Sequence, residues 1–358
     1  MVKKLLLVIV LFLLSCNGKD HTFNDHIINL DVTKVDKEIV ASVFIDSIYS
    51  FRLELPDSLV WGRPRKILFA QDHIYILDKM QHKIYHFSRN GDFINVIDKK
   101  GNGPGEYVSI DCFFLDDQNI YVNDVLGRRI NKYTFDGDFI DAITYHKNMI
   151  FHEAMAVNDS LFLCFEPASL NGWIINKHGE ILRNLFDEKQ VYPYMYSEWE
   201  HLYTQGNDAV GLHYPPTGEY YSLNLNDMTL EKTFIQRVNQ KMLSAYAGVK
   251  STIGIDHDFT YSPFTFVAEN WIFSLWSLPE NRVAISLYSK ASQESVVFKR
   301  IKMDLLGYND IGFPVSTNLS DRIVSIITDE FPEDKLPDNE QEKGLNEGDV
   351  IIQVMKFK

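Results

Sequence analysis

The feature that most restricts the fold of this chain is an internal repeat. Residues 73–97 align without gaps on residues 119–143, an offset of 46 residues (119 − 73). The matching pairs are Tyr75 and Tyr121, Asp78 and Asp124, Ile84 and Ile130, Gly91 and Gly137, Asp92 and Asp138, Phe93 and Phe139, and Ile97 and Ile143. Each copy reads as strand, polar turn, strand, Asn-Gly or Asp-Gly turn, strand, and both central positions of such a turn favour a positive φ. The repeat predicts strand-rich units that pack side by side.

Weaker copies continue the pattern to the end of the chain. They cover residues 161–186, 219–235, 270–301, and 321–330 together with 348–358. Residues 238–251 lack strand alternation and read as a helical decoration. A unit of about 40 to 50 residues with four strands is the signature of a β-propeller blade. We therefore predict an all-β, six-bladed β-propeller with four-stranded antiparallel blades, whereas the alternative, a two-sheet sandwich, does not explain a 46-residue repeat.

The two ends of the predicted propeller fit each other. The innermost strand of each blade should be the stretch before the hairpins, such as residues 110–116. Residues 42–55 are strand-like and precede the first blade, while the last blade ends abruptly at residue 358. We predict that the N-terminal strand completes the last blade, and that residues 42–358 form a single propeller domain.

A family resemblance becomes specific in the second copy. Residues 101–140 resemble an NHL repeat, which has a glycine-rich lead-in, a Tyr-Val-x-Asp strand end and an Asp-Gly hairpin. The matching positions are Gly103, Pro104, Gly105, Glu106, Tyr107, Tyr121, Asp124, Arg129, Ile130 and Gly137. Lys83 replaces the arginine in the first copy, and Ser109 stands where NHL repeats usually have proline. The whole chain resembles the NHL-type six-bladed propeller lipoproteins common in Bacteroidetes, most of which have no assigned activity.

The N-terminus indicates export. Lys3 and Lys4 precede an apolar run of ten residues from Leu5 to Leu14, which is typical of a signal peptide and shorter than the about 20 residues that span a membrane. The sequence Leu13-Leu14-Ser15-Cys16 also resembles a bacterial lipobox, which implies cleavage before Cys16 and its acylation; a plain secretory signal is the alternative. We expect residues 1–16 to be the signal and lipobox and residues 17–41 a tether. The protein is then lipid-anchored in the bacterial cell envelope, at the outer membrane, with the leaflet undetermined.

Charge and cysteine content exclude several functions. The chain has a net charge of −14, and loss of Lys3 and Lys4 makes it −16. Nucleic acid is not an expected partner, because phosphate binding requires clustered basic residues. Cys112 and Cys164 lie in apolar, strand-like contexts, so we predict two buried free thiols rather than a disulfide.

The glycine-rich segment of residues 101–107, GNGPGEY, has two interpretations. A phosphate-binding loop needs glycines between a strand and a helix, but strand-like residues follow and Glu106 would repel phosphate. A turn between blades suits Gly103 and Gly105, because glycine adopts positive φ readily. We predict a structural crossing.

The charged residues Asp78, Asp124 and Arg129 also have two interpretations. They could form a ligand site, but their positions recur in successive units, with Lys83 standing for Arg129. A single site needs one constellation, whereas a brace between units is needed repeatedly. Structural bracing is the favoured interpretation.

The segment of residues 191–216 is unusually aromatic. Its candidate ligand-binding residues are Tyr192, Tyr194, Tyr196, Trp199 and Tyr214. Packing between blades is one interpretation. The other is an exposed platform that stacks on sugar rings or grips a peptide.

We predict a non-catalytic binding scaffold for a glycan, a peptide or an envelope protein, with no metal and no cofactor. Neither His257 between two aspartates nor the acidic run of residues 328–349 has the spacing of a metal site. The alternative is a propeller hydrolase or lyase with a carboxylate, calcium or zinc site at the central channel. Its candidate residues near the inner strands are Asp111, His152, Glu153 and His213.

Overall fold

The fold is almost entirely β-structure. A computed structural model describes residues 26–33, 35, 38–186, 200–206, 208–246, 259–305, 307–308, 310–328, 336–337 and 349–358. The described helices are short 3-10 turns, and they are Ala41–Val43, Pro167–Ser169, Leu243–Tyr246 and Pro279–Asn281. Residues 238–246 of the predicted helical decoration are described, and Leu243–Tyr246 is the helical turn within them, whereas Val238 ends β19. None of the helices in this part of the chain is long and apolar enough to cross a membrane.

The strands form antiparallel meanders of four, which we call units and number along the chain. Unit 1 contains β4 (Pro64–Ala70), β5 (His73–Asp78), β6 (Lys83–Ser88) and β7 (Phe93–Ile97). Unit 2 contains β8 (Cys112–Leu115), β9 (Asn119–Asp124), β10 (Arg129–Thr134) and β11 (Phe139–Thr144). Unit 3 contains β12 (Glu153–Asn158), β13 (Leu161–Glu166), β14 (Asn171–Asn176) and β15 (Ile181–Asn184).

The second half of the chain continues in the same way. Unit 4 contains β16 (Leu202–Gln205), β17 (Ala209–Tyr214), β18 (Glu219–Asn224) and β19 (Leu230–Val238). Unit 5 contains β20 (Tyr261–Val267), β21 (Trp271–Leu278), β22 (Arg282–Ser289) and β23 (Glu294–Phe298). Unit 6 contains β25 (Phe313–Thr317), β26 (Arg322–Ile327), β27 (Asp349–Phe357) and, from the N-terminal part of the chain, β3 (Ile45–Glu54).

The N-terminal segment is used at three sheet edges. The strand β3 pairs antiparallel with β27 over its full length, as predicted for residues 42–55. The strand β1 (Ile27–Leu30) adds in parallel to the outer edge of unit 4. The strand β2 (Glu38–Val40) pairs in parallel with β24 (Arg300–Lys302). These pairings cover edges that would otherwise expose unpaired backbone groups.

The Asn-Gly and Asp-Gly turns differ from the prediction in one respect. Gly91, Gly137 and Gly179 have positive φ, but the residue before each glycine does not. The backbone N–H of Gly91 donates to Ser88 O, the register shifts beside the turn, and β7 starts five residues after Ser88. This is a type I turn closed by a glycine bulge, which needs positive φ only at the glycine.

The hydrophobic core lies between consecutive units. Units 1 and 2 share one buried cluster, which includes Tyr75, Tyr107 and Phe113. Equivalent clusters join units 2 and 3, 3 and 4, 4 and 5, and 5 and 6, and a further cluster joins unit 6 to unit 1. Cys112 and Cys164 are buried free thiols in the cluster of units 2 and 3, as predicted. Burial raises the pKa of both thiols, which suppresses their reactivity.

The first strands of the units lie side by side at the centre, in the order β25, β4, β8, β12, β16 and β20. Hydrogen bonds between neighbouring units join the corresponding ends of their strands. Ile110 N, before β8, donates to His82 at the β5–β6 turn, and Asn318, after β25, exchanges two hydrogen bonds with Phe69 at the end of β4. We call the end that carries the connections between units the crossing face. The opposite end, with the turns after the first and third strands, is the hairpin face.

Candidate functional site

Units 1 and 2 each place a buried carboxylate at the crossing face, where the second strand ends. Asp78 is fully buried. Its carboxylate accepts the backbone N–H groups of Gly62 and Arg63 from the preceding connection, at 2.5 and 2.9 Å. It also accepts those of Met80 and Gln81 from its own turn, at 3.1 and 3.0 Å. The carboxylate therefore fastens the incoming connection to the β5–β6 turn.

Asp124 does the same in unit 2. It is fully buried and accepts the backbone N–H groups of Val108, Ser109 and Gly127, at 3.0, 3.3 and 2.9 Å. Arg129 lies 3.5 Å from it. The equivalent cation in unit 1, Lys83, pairs with Asp98 instead. The carboxylate is thus the shared part of this device, and the cation varies.

The GNGPGEY segment folds back on itself. The carboxylate of Glu106 accepts the backbone N–H of Gly103 at 2.7 Å, and the carbonyl of Gly105 accepts the hydroxyl of Tyr133 at 2.9 Å. Gly105 has a φ of +74°, and a Cβ there would lie 2.5 Å from the ring of Phe139. This geometry describes a tight crossing between units, and the Glu106 carboxylate occupies the space that an anion would need.

Unit 3 places Glu166 at the position of Asp78 and Asp124, because β13 ends at Glu166 as β5 and β9 end at the aspartates. Glu166 Oε1 accepts the backbone N–H of Ala168 in its own turn at 3.1 Å. Its other oxygen, Oε2, accepts a hydrogen bond from His152 Nδ1. A histidine side chain has therefore taken the place that backbone N–H groups of the connection occupy in units 1 and 2.

His152 and Glu166 line a cleft of about 400 Å³ at the crossing face. The remaining lining residues are Asn148, Ile150, Ser169, Asn171 and Trp173. The hydrogen bond that His152 donates to Glu166 raises the pKa of His152 above its usual value, although burial works against this, and the charge of Asp111 adds to the rise. The raised pKa favours a cationic imidazole beside an anionic carboxylate.

A buried ion pair crosses the space between the central strands. Lys66 Nζ of unit 1 lies 2.5 Å from Glu200 Oε2, which precedes the first strand of unit 4. The backbone N–H of Glu200 donates to Ser316 Oγ of unit 6 at 2.9 Å, and Lys66 lies 5.7 Å from the ring of Phe113 in unit 2. Glu200 thus joins units 1, 4 and 6 at the centre of the structure.

Glu153 and Asp111 stand immediately before or at the start of central strands. Glu153 is buried and accepts the backbone N–H groups of His201 and Leu202, at 2.7 and 2.8 Å. Burial raises its pKa well above the usual value, and the charge of Glu200 adds to this. Asp111 accepts the hydroxyl of Ser109 at 2.9 Å and a backbone N–H at 3.1 Å. Both carboxylates hold connections in place.

His213 and Tyr214 lie in the interior. They are each 1% exposed, His213 stacks on Tyr220 with ring centroids 4.4 Å apart, and burial lowers its pKa well below the usual value. The imidazole of His213 is therefore neutral and enclosed by protein. Tyr214 likewise packs in the interior rather than on an open platform. Four further candidates, Tyr192, Tyr194, Tyr196 and Trp199, lie outside the described residues, as do Cys16 and His257.

The candidates for a central catalytic site lie in two environments. Glu153 and His213 both neighbour His201 in the interior. His152 lies in the open cleft with Glu166, and the charge of Asp111 acts on it. In the described part of the chain, no three His, Cys, Asp or Glu side chains form a group that could hold a metal ion.

Sequence reasoning missed Glu166, Lys66 and Glu200. Glu166 could have been found, because the alignment of residues 161–186 on the first two copies places it under Asp78 and Asp124. Lys66 and Glu200 are 134 residues apart, and no local pattern indicates that they meet.

The fold has relatives among solved structures. A Bacteroides fragilis protein described as exported has 17% sequence identity and a TM-score of 0.73, with 93% of this chain and 99% of that chain covered. A Bacteroides vulgatus member of the DUF4221 family has 10% identity and a TM-score of 0.54, with 88% and 98% covered. At these identities the likeness concerns the fold alone. No protein with a curated description matches the chain in sequence.

The profile of one family, a domain of unknown function, matches residues 26–349. The match ends at Asp349, the first residue of β27, and includes the other strands described above. The chain belongs to the DUF4934 family.

Proposed function

We propose that this protein is an exported, lipid-anchored, six-bladed β-propeller of the NHL type that binds a glycan, a peptide or an envelope protein on its crossing face and acts without catalysis. The four-stranded units, the buried clusters between them and the contacts of Glu200 with units 1 and 6 support a closed ring of six blades. The signal-like N-terminus, and a structural relative that is described as exported, support an extracytoplasmic location.

The observation that carries the proposal is the placement of exposed apolar side chains. Most large apolar residues that are more than half exposed lie at the crossing face, and these are Val60, Met80, Leu126, Ile150, Val283 and Phe313. The described turns of the hairpin face contain none. Solvated apolar side chains that cluster on one face are typical of a binding surface.

Within the described residues, the space beside the central ion pair is small. The Lys66–Glu200 ion pair crosses the space between the central strands, and a cavity beside it has a volume of about 70 Å³. Ligand sites usually have volumes of about 300 Å³ or more. This supports binding at the surface rather than within a channel.

Site-specific crosslinking tests the binding face. A photoreactive residue in place of Met80 or Leu126 should yield crosslinked products in cells, and one in place of Asn90 or Asp227, which are exposed on the hairpin face, should yield few. Equal yields from both faces, or none from Met80 and Leu126, would contradict the proposal.

The anchor is tested separately. We expect Cys16→Ser to move the protein from the membrane fraction to the soluble extracytoplasmic fraction, since no acyl chain can then be attached. Membrane retention of this variant after a high-salt wash would show that Cys16 does not supply the anchor.

One observation favours a hydrolase or lyase as a second candidate. His152 is oriented by Glu166, and an imidazole held by a carboxylate is a common arrangement for a general base. Turnover of a lactone, peptide or glycoside by the purified protein, lost in His152→Gln and retained in His178→Gln, would replace the binding function with this one.

A further inference from the structure

Unit 3 departs from the repeat at one place. In units 1 and 2 the carboxylate at the end of the second strand is fully enclosed and holds backbone N–H groups of the connection. In unit 3 the equivalent Glu166 is one methylene longer, holds the side chain of His152 and lines an open cleft. Units 4, 5 and 6 have Tyr214, Leu278 and Ile327 at this position, so Glu166 is the carboxylate of this series that faces an open cleft. A change in a repeated device is expected where a site has been built.

The polar groups of the cleft are suited to hydroxyl groups. Asn148 and Asn171 each offer an N–H donor and a carbonyl acceptor, and Ser169 offers a hydroxyl that already accepts from Asn171 Nδ2 at 2.6 Å. Sugar hydroxyls both donate and accept, so they match such groups. Ile150, which is 54% exposed, supplies most of the apolar surface for the carbon face of a ring, and Trp173, which is 9% exposed, adds to the lining.

The charges of the cleft cancel. His152 and Glu166 form a hydrogen-bonded pair of opposite sign, and the other lining side chains are uncharged. An anionic ligand would approach the Glu166 carboxylate, and a cationic ligand would approach the His152 imidazolium. Either charged ligand would be repelled by the group of its own sign, and a neutral ligand avoids this repulsion.

We propose that the cleft formed by Asn148, Ile150, His152, Glu166, Ser169, Asn171 and Trp173 binds a neutral saccharide. This inference rests on the proposed binding function and names its ligand class. The volume of about 400 Å³ falls in the range of small-ligand pockets and limits the bound part to one or two sugar rings.

An array of neutral and acidic oligosaccharides, probed with the mature protein, tests the inference. We expect binding to neutral members. Calorimetry with the best binder should show affinity lowered about two- to tenfold by Asn148→Ala and about tenfold or more by His152→Ala, since neutral and charged hydrogen bonds differ in strength.

Matched controls separate binding from folding. His178→Ala removes an exposed histidine from the hairpin face of the same unit, and we expect it to leave affinity unchanged. Asn148 is exposed, and its side chain makes no hydrogen bond within the described residues, so Asn148→Ala keeps the test valid if His152→Ala unfolds.

Three results would overturn the inference: no binding to any neutral saccharide, binding confined to acidic members, or an affinity that neither Asn148→Ala nor a folded His152→Ala lowers. If His152→Ala does not fold, unchanged affinity in Asn148→Ala is sufficient to overturn it. Crosslinking from Met80 and Leu126 to an envelope protein, with a silent array, would leave the proposed function standing and remove only the saccharide. Failure of both experiments would remove both.

Discussion

The two faces of the molecule are built from the same repeated strands and differ in the burial and the contacts of the charged residues in their loops. The described turns of the hairpin face carry twelve acidic residues against three basic ones. The acidic residues are Asp72, Asp92, Asp116, Asp117, Asp136, Asp138, Asp159, Glu180, Asp208, Asp227, Glu269 and Asp321, and the basic ones are Arg89, Lys177 and Lys290. Several of these turns close through short-range hydrogen bonds, such as those of Ser88 with Asp92 and of Asp227 with Thr229. The turn after β25 is an exception, because Asn318 bonds to Phe69 of unit 1.

The crossing face depends on long-range contacts. Its carboxylates Asp78, Asp124, Glu153 and Glu166 are buried and hold segments from elsewhere in the chain. The hairpin face has a depression of about 480 Å³, but Asp116, Asp117 and Asp159 line it, and the described residues there do not form a metal site. The difference teaches that buried charge at one end holds the connections between units, while the charge at the other end is exposed to solvent.

The largest expected difference is in how much each ion pair contributes to the free energy of unfolding. Lys66→Ala leaves the Glu200 carboxylate buried without its cation, and we expect it to reduce the free energy of unfolding by about 3–5 kcal/mol. Arg89→Ala on the hairpin face removes an exposed pair at 3.7 Å and should cost less than about 1 kcal/mol. Urea unfolding measures both values. Equal effects would remove the distinction between the faces, and Lys66→Met with Glu200→Leu should recover most of the loss.

Single aspartates should differ in the same direction. Asp124→Ala leaves three backbone N–H groups without their acceptor, and we expect a loss of about 3 kcal/mol. Asp92, in a hairpin turn, accepts from the exposed side chain of Ser88, so Asp92→Ala should change stability by about 0.5 kcal/mol. Thermal unfolding gives the comparison, and a similar loss in both variants would contradict it.

Two carboxylates should give opposite pH dependences. Because the pKa of Glu153 is raised in the folded state, the unfolded chain ionises first, and stability falls as pH rises above the usual pKa of this group. Burial works to raise the pKa of Asp116, but hydrogen bonds from Tyr121 and the backbone outweigh this and lower it. Its contribution is therefore present above the unfolded pKa and is lost as pH falls.

Urea titrations between pH 3 and pH 8 test this pair. Glu153→Gln should flatten the decline toward pH 8, since a neutral amide keeps an oxygen for His201 N and Leu202 N. Asp116→Asn should flatten the decline at low pH. An unchanged decline toward pH 8 in Glu153→Gln would show that Glu153 ionises in the folded protein as readily as in the unfolded chain.

The smallest effect concerns His152. Its raised pKa contributes stability below the usual histidine value, and this is lost as pH rises through the folded pKa. Among the described residues, the charges of Glu166, Asp111 and Lys79 act on its pKa. We expect Glu166→Gln to lower the pKa of His152 in an NMR titration, while Glu180→Gln at the hairpin face of unit 3 leaves it unchanged. A shift of equal size in both variants would contradict the pairing.

Much of the fold follows from local signals. The 46-residue repeat predicted the meanders, and the strand-like residues 42–55 predicted the pairing of β3 with β27. These succeeded because alternation, turn glycines and an unpaired final strand are properties of short segments. The prediction of positive φ at Asn90 and Asp136 was wrong, because a type I turn with a glycine bulge replaces the two-residue turn.

The candidate site was harder to predict. The sequence indicated His152 as a candidate but not its partner, and His213 and Tyr214 were offered for binding although both are buried. Exposure depends on which neighbouring unit packs over a strand end, and a single unit does not encode that.

The sequence by itself determined the repeated strands, the turns, the acidic surface and the signal-like N-terminus, because each depends on residues close together in the chain. Only the tertiary structure decided that Lys66 meets Glu200 and that Glu166 holds His152 at an open cleft. The physical reason is that burial, pKa and ion pairing depend on which segments pack against one another. The partner of each carboxylate, whether a backbone N–H group, a cation or an imidazole in a cleft, is therefore fixed only when the units pack.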